Sequence, residues 1–192
     1  THKLTVWEEA ADLFSEVDEH ASRLQEISCI SRNVEGQLIG HAKDPITSAK
    51  ALDLLLAQDH WQNHPQAEAL VLGCGGAGTA IIEQLILGQN GTFPKCVTGL
   101  EFNAHRLETV CKHFGSKTNL LLEPSDKEGI CAEEKITTLP PFSLMVNATG
   151  MGKDLPGSPV PKSLVFPQHG IVWELNYRGN LEFFNQARGQ HE

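Results

Sequence analysis

Residues 70–82 of the 192-residue chain have the sequence LVLGCGGAGTAII. A short apolar run ends at Gly73, three glycines follow with the spacing G-x-G-x-x-G, and an apolar pattern of helical spacing begins at once. Each glycine has its own physical role: Gly73 allows the sharp turn from strand to helix, Gly75 lets the backbone approach a pyrophosphate, and Gly78 lets the helix pack close to the strand. The stretch predicts a dinucleotide site in which an anion binds the free N–H groups at the helix N-terminus. A tight turn that binds no ligand is the alternative.

A second predicted strand, at residues 96–100, is followed directly by Glu101. In dinucleotide-binding sheets, an acid roughly 20 residues after the glycines accepts hydrogen bonds from the adenosine ribose. We expect Glu101 to have this role. The substitution Glu101→Ala is then expected to weaken NAD binding and to narrow the difference from NADP.

Strands and helices alternate through the rest of the chain. Strands are predicted at residues 70–73, 96–100, 120–122, 142–147 and 171–175, and helices at 77–87, around 107–114 and at 181–187. This alternation is typical of an α/β fold with a doubly wound, parallel, Rossmann-type sheet and right-handed crossovers. Ligands of such sheets bind beyond the carboxyl ends of the strands. One crevice is therefore expected to hold the residues that follow strands, namely Gly73–Gly78, Glu101, Asn147–Gly152 and Tyr177.

The first 58 residues have a different pattern. An amphipathic helix is predicted from Leu4 to Val17, a short helical piece at 21–24, strands at 27–30 and 37–40, and a helix from Asp44 toward Gln58. Asp44 is also a candidate N-cap of that last helix, because Pro45 then takes the first helical position. Residues 59–66 are the expected hinge or linker.

Composition excludes several classes of protein. With a formal charge of −9 and 40% hydrophobic residues, the chain is expected to be a soluble globular protein with no nucleic-acid partner. Its apolar runs are shorter than the ~20 residues that span a bilayer, so no membrane partner is expected. Five scattered cysteines without a C-x-x-C pair predict reduced thiols. No metal site is expected, and a cytoplasmic location without a signal peptide is expected.

Five short motifs occur in a characteristic order. They are Thr1-His2-Lys3, Gly40-His41-Ala42-Lys43-Asp44, Gly73-Cys74-Gly75-Gly76-Ala77-Gly78, Asn147-Ala148-Thr149-Gly150-Met151-Gly152 and Glu174-Leu175-Asn176-Tyr177. Their order and spacing resemble the shikimate/quinate dehydrogenase family over nearly the whole chain. The resemblance implies a substrate-binding domain, of which residues 1–58 are the C-terminal part including a hinge helix, and an NAD(P)-binding Rossmann-type domain at residues 59–192.

The resemblance also implies an activity and the residues that perform it. The family is an NAD(P)-dependent oxidoreductase of the EC 1.1.1 class in aromatic amino acid biosynthesis, and it transfers hydride reversibly between nicotinamide and a ring hydroxyl of a small molecule such as shikimate or quinate. Lys3 is implied as the catalytic base that the hydroxyl proton needs, with Asp44 as its partner. Tyr177 is implied to face the substrate. Cofactor contacts are implied for Gly73, Gly75, Gly76, Ala77, Gly78, Asn147, Ala148, Thr149 and Met151.

The chain departs from the family pattern around the substrate. Ala42 and Lys43 replace an Asn-Thr pair, and Ser28 replaces a substrate-binding asparagine. Ser28 and Lys43 are still expected at the substrate, where Lys43 binds a carboxylate differently or else points to solvent. These changes leave two alternatives open: a dehydrogenase with another substrate, or a non-catalytic regulatory domain that binds a nucleotide or metabolite.

The cofactor end departs as well. NADP-specific members of the family carry Asn-Arg-Thr where this chain has Glu101-Phe102-Asn103. A carboxylate repels a phosphate, so NAD is the expected cofactor and NADP remains possible. Arg106, the nearby cation, is expected to pair with an acid of its helix. The family's upstream Ser-x-Ser clamp and its C-terminal helix are expected to lie outside residues 1–192, and a monomer or homodimer is expected.

Overall fold

The computed structural model describes residues 3–88, 91–126, 130–153 and 155–190. Thr1 and His2, which begin the first of the five motifs, lie outside these residues, whereas Lys3 lies within them. The helices are α1 Lys3–Ala10, α2 Glu19–Leu24, α3 Asp44–Leu55, α4 His60–Asn63, α5 Gly76–Leu87, α6 Ala104–Phe114, α7 Ile130–Thr138 and α8 Glu182–Arg188. The strands are β1 Glu16–Val17, β2 Cys29–Arg32, β3 Leu38–His41, β4 Ala69–Leu72, β5 Val97–Glu101, β6 Leu120–Pro124, β7 Leu144–Asn147 and β8 Ile171–Glu174.

The larger sheet is parallel. Within the described ranges it has five strands in the order β6-β5-β4-β7-β8. The strand order reverses beside β4, because the chain builds outward through β5 and β6 and then returns to place β7 on the other side. Ligands of doubly wound sheets bind at such a reversal, beyond the carboxyl ends of the strands. The predicted α/β fold with a parallel sheet is confirmed.

Helices cover both faces of this sheet. Side chains alternate along a strand, so Val71 of β4 packs in one core with Ile81 and Ile82 of α5. Leu70 and Leu72, on the opposite face, pack in a second core that includes Phe183 and Ile136. Burial on both faces explains why β4 is a continuous apolar run rather than an alternating one.

The smaller sheet positions the start of α3. Its order within the described part of the chain is β1-β3-β2, with β1 parallel and β2 antiparallel to the central β3. Strand β3 ends at His41, three residues before Asp44 begins α3, and α3 packs along α5. Asp44 is thereby brought toward the larger sheet. The proposed division between residues 58 and 59 lies between the two sheets and stays a prediction.

Some elements differ from those expected. The first helix ends at Ala10 and not near Val17, since a 3-10 turn follows and Ser15 N then donates to Leu38 O of β3. Helix α7 was not predicted, and the side chain of Asp126 accepts from the N–H groups of Ile130 and Cys131 at its start. In the described part of the chain, no helix is long and apolar enough to cross a membrane.

Candidate active site

The glycine-rich turn joins β4 to α5 in the geometry that its spacing predicts. Gly73 has a φ of +90°, a left-handed conformation that favours glycine. A Cβ on Gly73 would lie 3.0 Å from Thr149 Cα and 3.1 Å from the carbonyl carbon of Ala148. The turn therefore lies directly against the loop that follows β7.

Gly75 and Gly78 differ sharply in their surroundings. A Cβ on Gly78 would overlap the carbonyl oxygen of Gly73, so helix α5 and the turn touch backbone to backbone there. A Cβ on Gly75 would meet nothing within 4 Å. Gly75 also precedes the first turn of α5, whose N–H groups have no partner within the helix. The open space at Gly75 therefore fits a phosphate group of a dinucleotide.

Lys3 and Asp44 form an ion pair beside this turn. Asp44 begins α3, and Lys3 begins α1, where its backbone oxygen accepts from Ile27 N at 3.1 Å. The two side chains are 24% and 21% exposed, so the pair is sheltered but accessible. Lys3 Cδ would lie 3.4 Å from a Cβ on Gly76, which places the lysine stem at the N-terminus of α5.

A cavity of about 610 Å³, here called the site cavity, opens next to this pair. It is lined by Lys3, Leu4, Thr5, Gly75, Gly76, Ala77, Arg106, Ala148, Thr149, Gly150, Lys153, Leu175, Asn176, Tyr177 and Arg178. Four of these carry positive charge and, among the described lining residues, none carries negative charge. Together with the positive end of α5, this lining fits an anionic ligand.

The loop after β7 is held by buried polar side chains. Asn147 is fully buried, and its amide nitrogen donates to Glu174 at 2.9 Å and to Met151 O at 3.2 Å. Its Oδ1 accepts from both the backbone N and the hydroxyl of Thr149. Asn176 Nδ2 also donates to Met151 O, at 2.8 Å. Asn147 therefore shapes the loop, whereas Ala148 and Thr149 line the site cavity.

A second cavity, here called the apolar cavity, adjoins the site cavity at Thr149. Its volume is about 400 Å³, and it is lined by Leu72, Gly73, Leu100, Phe102, Ser125, Asp126, Ala132, Thr149, Met151, Leu155, Pro156 and Pro159. Thr149 lines both cavities and therefore lies between them, whereas Gly73 lines the apolar cavity. A ligand with an apolar ring and a phosphate group fits across this divide.

Glu101 is placed differently from the expectation. Its side chain is completely buried. Oε2 accepts from Cys74 N at 2.9 Å, Oε1 accepts from Asn103 N at 2.9 Å, and Arg106 donates to both oxygens at 3.3 Å. A ribose contact needs a free, exposed oxygen, so the structure contradicts the direct contact predicted for Glu101. Glu101 instead ties the glycine-rich turn to the start of α6, and Arg106 pairs with this strand-end acid and not with an acid of its own helix.

Ser28 and Lys43 are also engaged within the protein. Ser28 Oγ accepts from Lys43 N at 2.8 Å, and Lys43 Nζ lies 3.3 Å from Asp18 Oδ2. Burial opposes ionisation of Asp18, but hydrogen bonds from Ala21 N, Ala42 N and Lys43 prevail and lower the pKa of its carboxyl. Lys43 was expected either to bind a carboxylate of the substrate or to point to solvent. In the structure its side chain is half-exposed and forms an ion pair with Asp18.

Tyr177 lies at the rim of the site cavity and is 80% exposed. Lys153 Nζ is 5.9 Å and Arg178 Cζ 5.8 Å from the centre of its ring. These distances are within the range of cation–π attraction. Tyr177 therefore has two cations beside it where a small molecule would enter.

Glu26 was not among the expected site residues, although it lies at the centre of this region. It is 1% exposed, and neither carboxyl oxygen has a hydrogen-bond partner among the described residues. Burial raises the pKa of Glu26 to about 7, helped by the nearby charges of Asp44 and Glu83 and opposed by Lys3. No spacing rule singles out an acid at this position. The position of Glu26 depends on the backbone at Gln25, whose φ of 51° turns the chain sharply.

Two solved structures share the fold of this chain. A quinate dehydrogenase of Corynebacterium glutamicum in complex with NAD superposes with a TM-score of 0.66 at 20% identity, covering 98% of this chain and 61% of its own. A shikimate 5-dehydrogenase of Listeria monocytogenes in complex with shikimate and NAD gives a TM-score of 0.66 at 18% identity, covering 98% and 62%. At these identities the likeness shows the fold.

Curated relatives narrow the resemblance. A shikimate dehydrogenase (NADP(+)) of Streptococcus pneumoniae strain JJA is 29% identical over 166 residues, which cover 82% of this chain. The aligned part is 52% of that protein, so the chain spans about half the length of the curated relatives it matches. No protein-family model matches the chain. The resemblance to shikimate/quinate dehydrogenases is confirmed in both sequence and fold.

Proposed function

We propose that the chain belongs to an NAD(P)-dependent oxidoreductase of the shikimate/quinate dehydrogenase type. The observation that carries this proposal is the Lys3–Asp44 ion pair, which stands beside the glycine-rich turn in the site cavity. A domain that only binds a nucleotide has no use for a sheltered lysine–aspartate pair at this position. The resemblance to curated shikimate dehydrogenases supports the same conclusion.

The geometry supports specific roles for the chain's own residues in this proposal. Nicotinamide, when bound, accepts or returns a hydride at its C4 carbon. A carbinol that loses hydride must also lose its hydroxyl proton, and Lys3 Nζ is the group that exchanges this proton. Asp44 orients Nζ and balances its charge. Gly75, Gly76 and Ala77 would bind the phosphates at the start of α5, and Ala148 and Thr149 would line the nicotinamide side.

NAD is the proposed cofactor. The reason is the lining of the apolar cavity and not, as expected, repulsion of a 2′-phosphate by Glu101. The apolar cavity has Phe102 at its wall and Asp126 as its ionisable residue, and among its described lining residues there is no lysine or arginine. A 2′-phosphate in that cavity would meet no cation among the described lining residues, whereas a free ribose would not need one. Arg106, a cation that lines the site cavity, is held by Glu101.

The substrate is proposed to be a cyclic polyol acid, as the resemblance implies, with recognition that has changed. Ser28 Oγ already accepts a backbone hydrogen bond, and Lys43 is drawn to Asp18. Ser28 and Ala42 lack the amides that the family pattern has at these positions, and Lys43 stands where the pattern has a threonine. Lys153 and Arg178, at the rim beside Tyr177, are the cations placed to attract a carboxylate.

Turnover on the full-length chain tests this proposal. Shikimate and quinate are each supplied with NAD and with NADP, and formation of reduced nicotinamide is followed by absorbance. Lys3→Ala is expected to lower kcat by roughly 10²-fold or more, because a positioned general base typically contributes 10²–10⁴-fold. NAD is expected to be the better cofactor.

The matched control is Lys50→Ala, which removes an exposed lysine of α3 that does not line the site cavity. Its activity is expected to equal that of the wild type. Turnover that survives Lys3→Ala would refute the assigned role of Lys3. NAD binding without turnover of either substrate would instead favour another substrate or a regulatory domain.

A further inference from the structure

A carboxyl group that accepts no hydrogen bond from any described residue faces the phosphate end of the site. Glu26 Cδ would lie 3.5 Å from a Cβ on Gly76, and Glu26 Oε2 is closer still. Both oxygens are buried, and among the described residues neither has a hydrogen-bond partner. A buried polar atom left unpaired costs free energy, so this arrangement needs an explanation in terms of what the group does.

The backbone directs Glu26 to this position. Helix α2 ends at Leu24 and is followed by its C-cap Gln25, whose left-handed conformation (φ 51°, ψ 44°) is unusual for a residue other than glycine. The next residue is thereby turned inward, and Ile27 N donates to Lys3 O. Glu26 and Lys3 therefore approach Gly76 from neighbouring segments.

The charged side chains around Glu26 come from helices α1, α3 and α5. Asp44 of α3 and Glu83 of α5 disfavour its ionised form, and Lys3 of α1 favours it. Glu83 is itself paired, since Arg23 Nε of α2 lies 2.8 Å from its Oε1. Among these acids, Glu26 alone has no hydrogen bond from a described residue.

We propose that Glu26 controls the anion site at the N-terminus of α5: neutral Glu26 leaves the site to the cofactor's phosphates, and ionised Glu26 opposes them. The proposal rests on the proposed function, because it concerns the same cofactor site. Two negative groups compete for the same helix N-terminus, so bound phosphate and ionised Glu26 disfavour each other. Cofactor binding and protonation of Glu26 are then reciprocally linked.

The raised pKa of Glu26, about 7, places this competition near neutral pH. As the pH rises through that value, Glu26 loses its proton to solvent and cofactor affinity falls. Binding of the cofactor above that pH returns a proton to Glu26. Glu26 makes no contact with reacting atoms in this scheme, so it is a positioning residue that acts through charge.

Calorimetric titration of the full-length chain with NAD tests the proposal. The titration is carried out between about pH 6 and about pH 8, in two phosphate-free buffers of different ionisation enthalpy. The wild type is expected to bind roughly tenfold more weakly at the higher pH and to take up a fraction of a proton per NAD bound. Both effects are expected to disappear in Glu26→Gln, whose affinity stays near the value of the wild type at low pH.

Two further variants make the result decisive. Glu26→Ala removes the carboxyl without leaving a buried amide, and it is expected to behave as Glu26→Gln does if that variant folds poorly. Glu68→Gln removes the same charge at the opposite end of β4 and is expected to keep the pH dependence and proton uptake of the wild type.

The outcomes separate this inference from the proposed function. NAD binding that is independent of pH, or that keeps its pH dependence in both Glu26 variants, would overturn the control by Glu26 and leave the dehydrogenase proposal standing. Failure of NAD to bind at any pH would overturn both. Loss of pH dependence and of proton uptake in the Glu26 variants alone would support the inference.

Discussion

A carboxylate that accepts several protein donors has little left to offer a ligand. Glu101 accepts from Cys74 N, Asn103 N and Arg106 within a fully buried site. Its charge is therefore used to fix the turn and to hold a guanidinium beside the phosphate end of the site cavity. In the proposed cofactor site, the choice between NAD and NADP would depend on groups that are exposed at the apolar cavity, such as Phe102.

Glu101→Ala is accordingly expected to weaken NAD and NADP binding by similar factors, and not to narrow the difference between them. It leaves Cys74 N buried without its partner, which typically costs about 1–3 kcal/mol of stability. Isothermal titration with both cofactors, together with urea unfolding, measures the two effects. A change in cofactor preference at unchanged stability would return Glu101 to the ribose.

Phe102→Arg is the complementary change at this scale. Phe102 is 50% exposed, so a guanidinium there reaches the apolar cavity without displacing buried atoms. The ratio of the NAD and NADP dissociation constants is expected to shift toward NADP by roughly tenfold, because arginine binds phosphate strongly. Phe93→Arg, at another half-exposed phenylalanine that does not line that cavity, is the control. An unchanged ratio in Phe102→Arg would show that the 2′ position lies elsewhere.

At the scale of the element, the turn between β4 and α5 combines two opposite demands. Gly78 has no space for a side chain because the Gly73 carbonyl fills it, whereas Gly75 faces open space. Gly78 is needed for the fold, whereas the open space at Gly75 is needed for access of the proposed ligand. Substitution by alanine separates these demands.

Gly78→Ala is expected to destabilise the protein by roughly 1–3 kcal/mol, since the turn or the helix must move. Gly75→Ala, at a φ of −71° that alanine adopts freely, is expected to leave stability unchanged or to raise it by about 0.4–1 kcal/mol. Its methyl group would nevertheless stand where the phosphates approach, so NAD affinity is expected to fall by about tenfold or more. Thermal unfolding by circular dichroism, and NAD titration, distinguish the two variants. A Gly75→Ala protein that binds NAD normally would argue against a phosphate at this turn.

At the scale of the whole molecule, stability depends on pH through two carboxyl groups, Glu26 and Asp18, whose pKa values shift in opposite directions on folding. The folded-state pKa of Glu26 is about 7, above its usual 4.5, so the folded state holds a proton that the unfolded state has lost between these values. Stability therefore falls as the pH rises through this window. Asp18 has a lowered pKa, so its contribution is present above its usual 3.8 and is lost on acidification below it.

Comparison of the wild type with Glu26→Gln measures the first of these contributions. The free energy of unfolding of the wild type, from urea unfolding between about pH 5 and about pH 8, is expected to decline relative to the variant by up to ~3 kcal/mol. The change with pH is the test, because a buried amide has a constant cost of its own. Parallel pH profiles for the two proteins would contradict the raised pKa.

The sequence predicts those features that depend on neighbouring residues. Gly73 and Gly78 were assigned correctly because a left-handed turn and a close helix–strand contact are local requirements of the backbone. Helix α7 escaped prediction because only Ala132 and Ile136 of it are buried, too few to make a helical pattern visible. The Lys3–Asp44 pair was expected only through family resemblance, since 41 positions separate its members. The burial of Glu26 and the inward direction of the Glu101 side chain depend on tertiary packing. The spacing of residues along the sequence does not predict such packing.

The position of Tyr177 has a practical consequence. The chain contains one tyrosine, which is 80% exposed at the rim of the site cavity and has two cations 5.9 and 5.8 Å from its ring centre. A protein grown with fluorinated tyrosine would therefore give one fluorine resonance from the folded chain, already assigned and located at the entrance of the site. Movement of that resonance reports on whatever enters, before any reaction takes place.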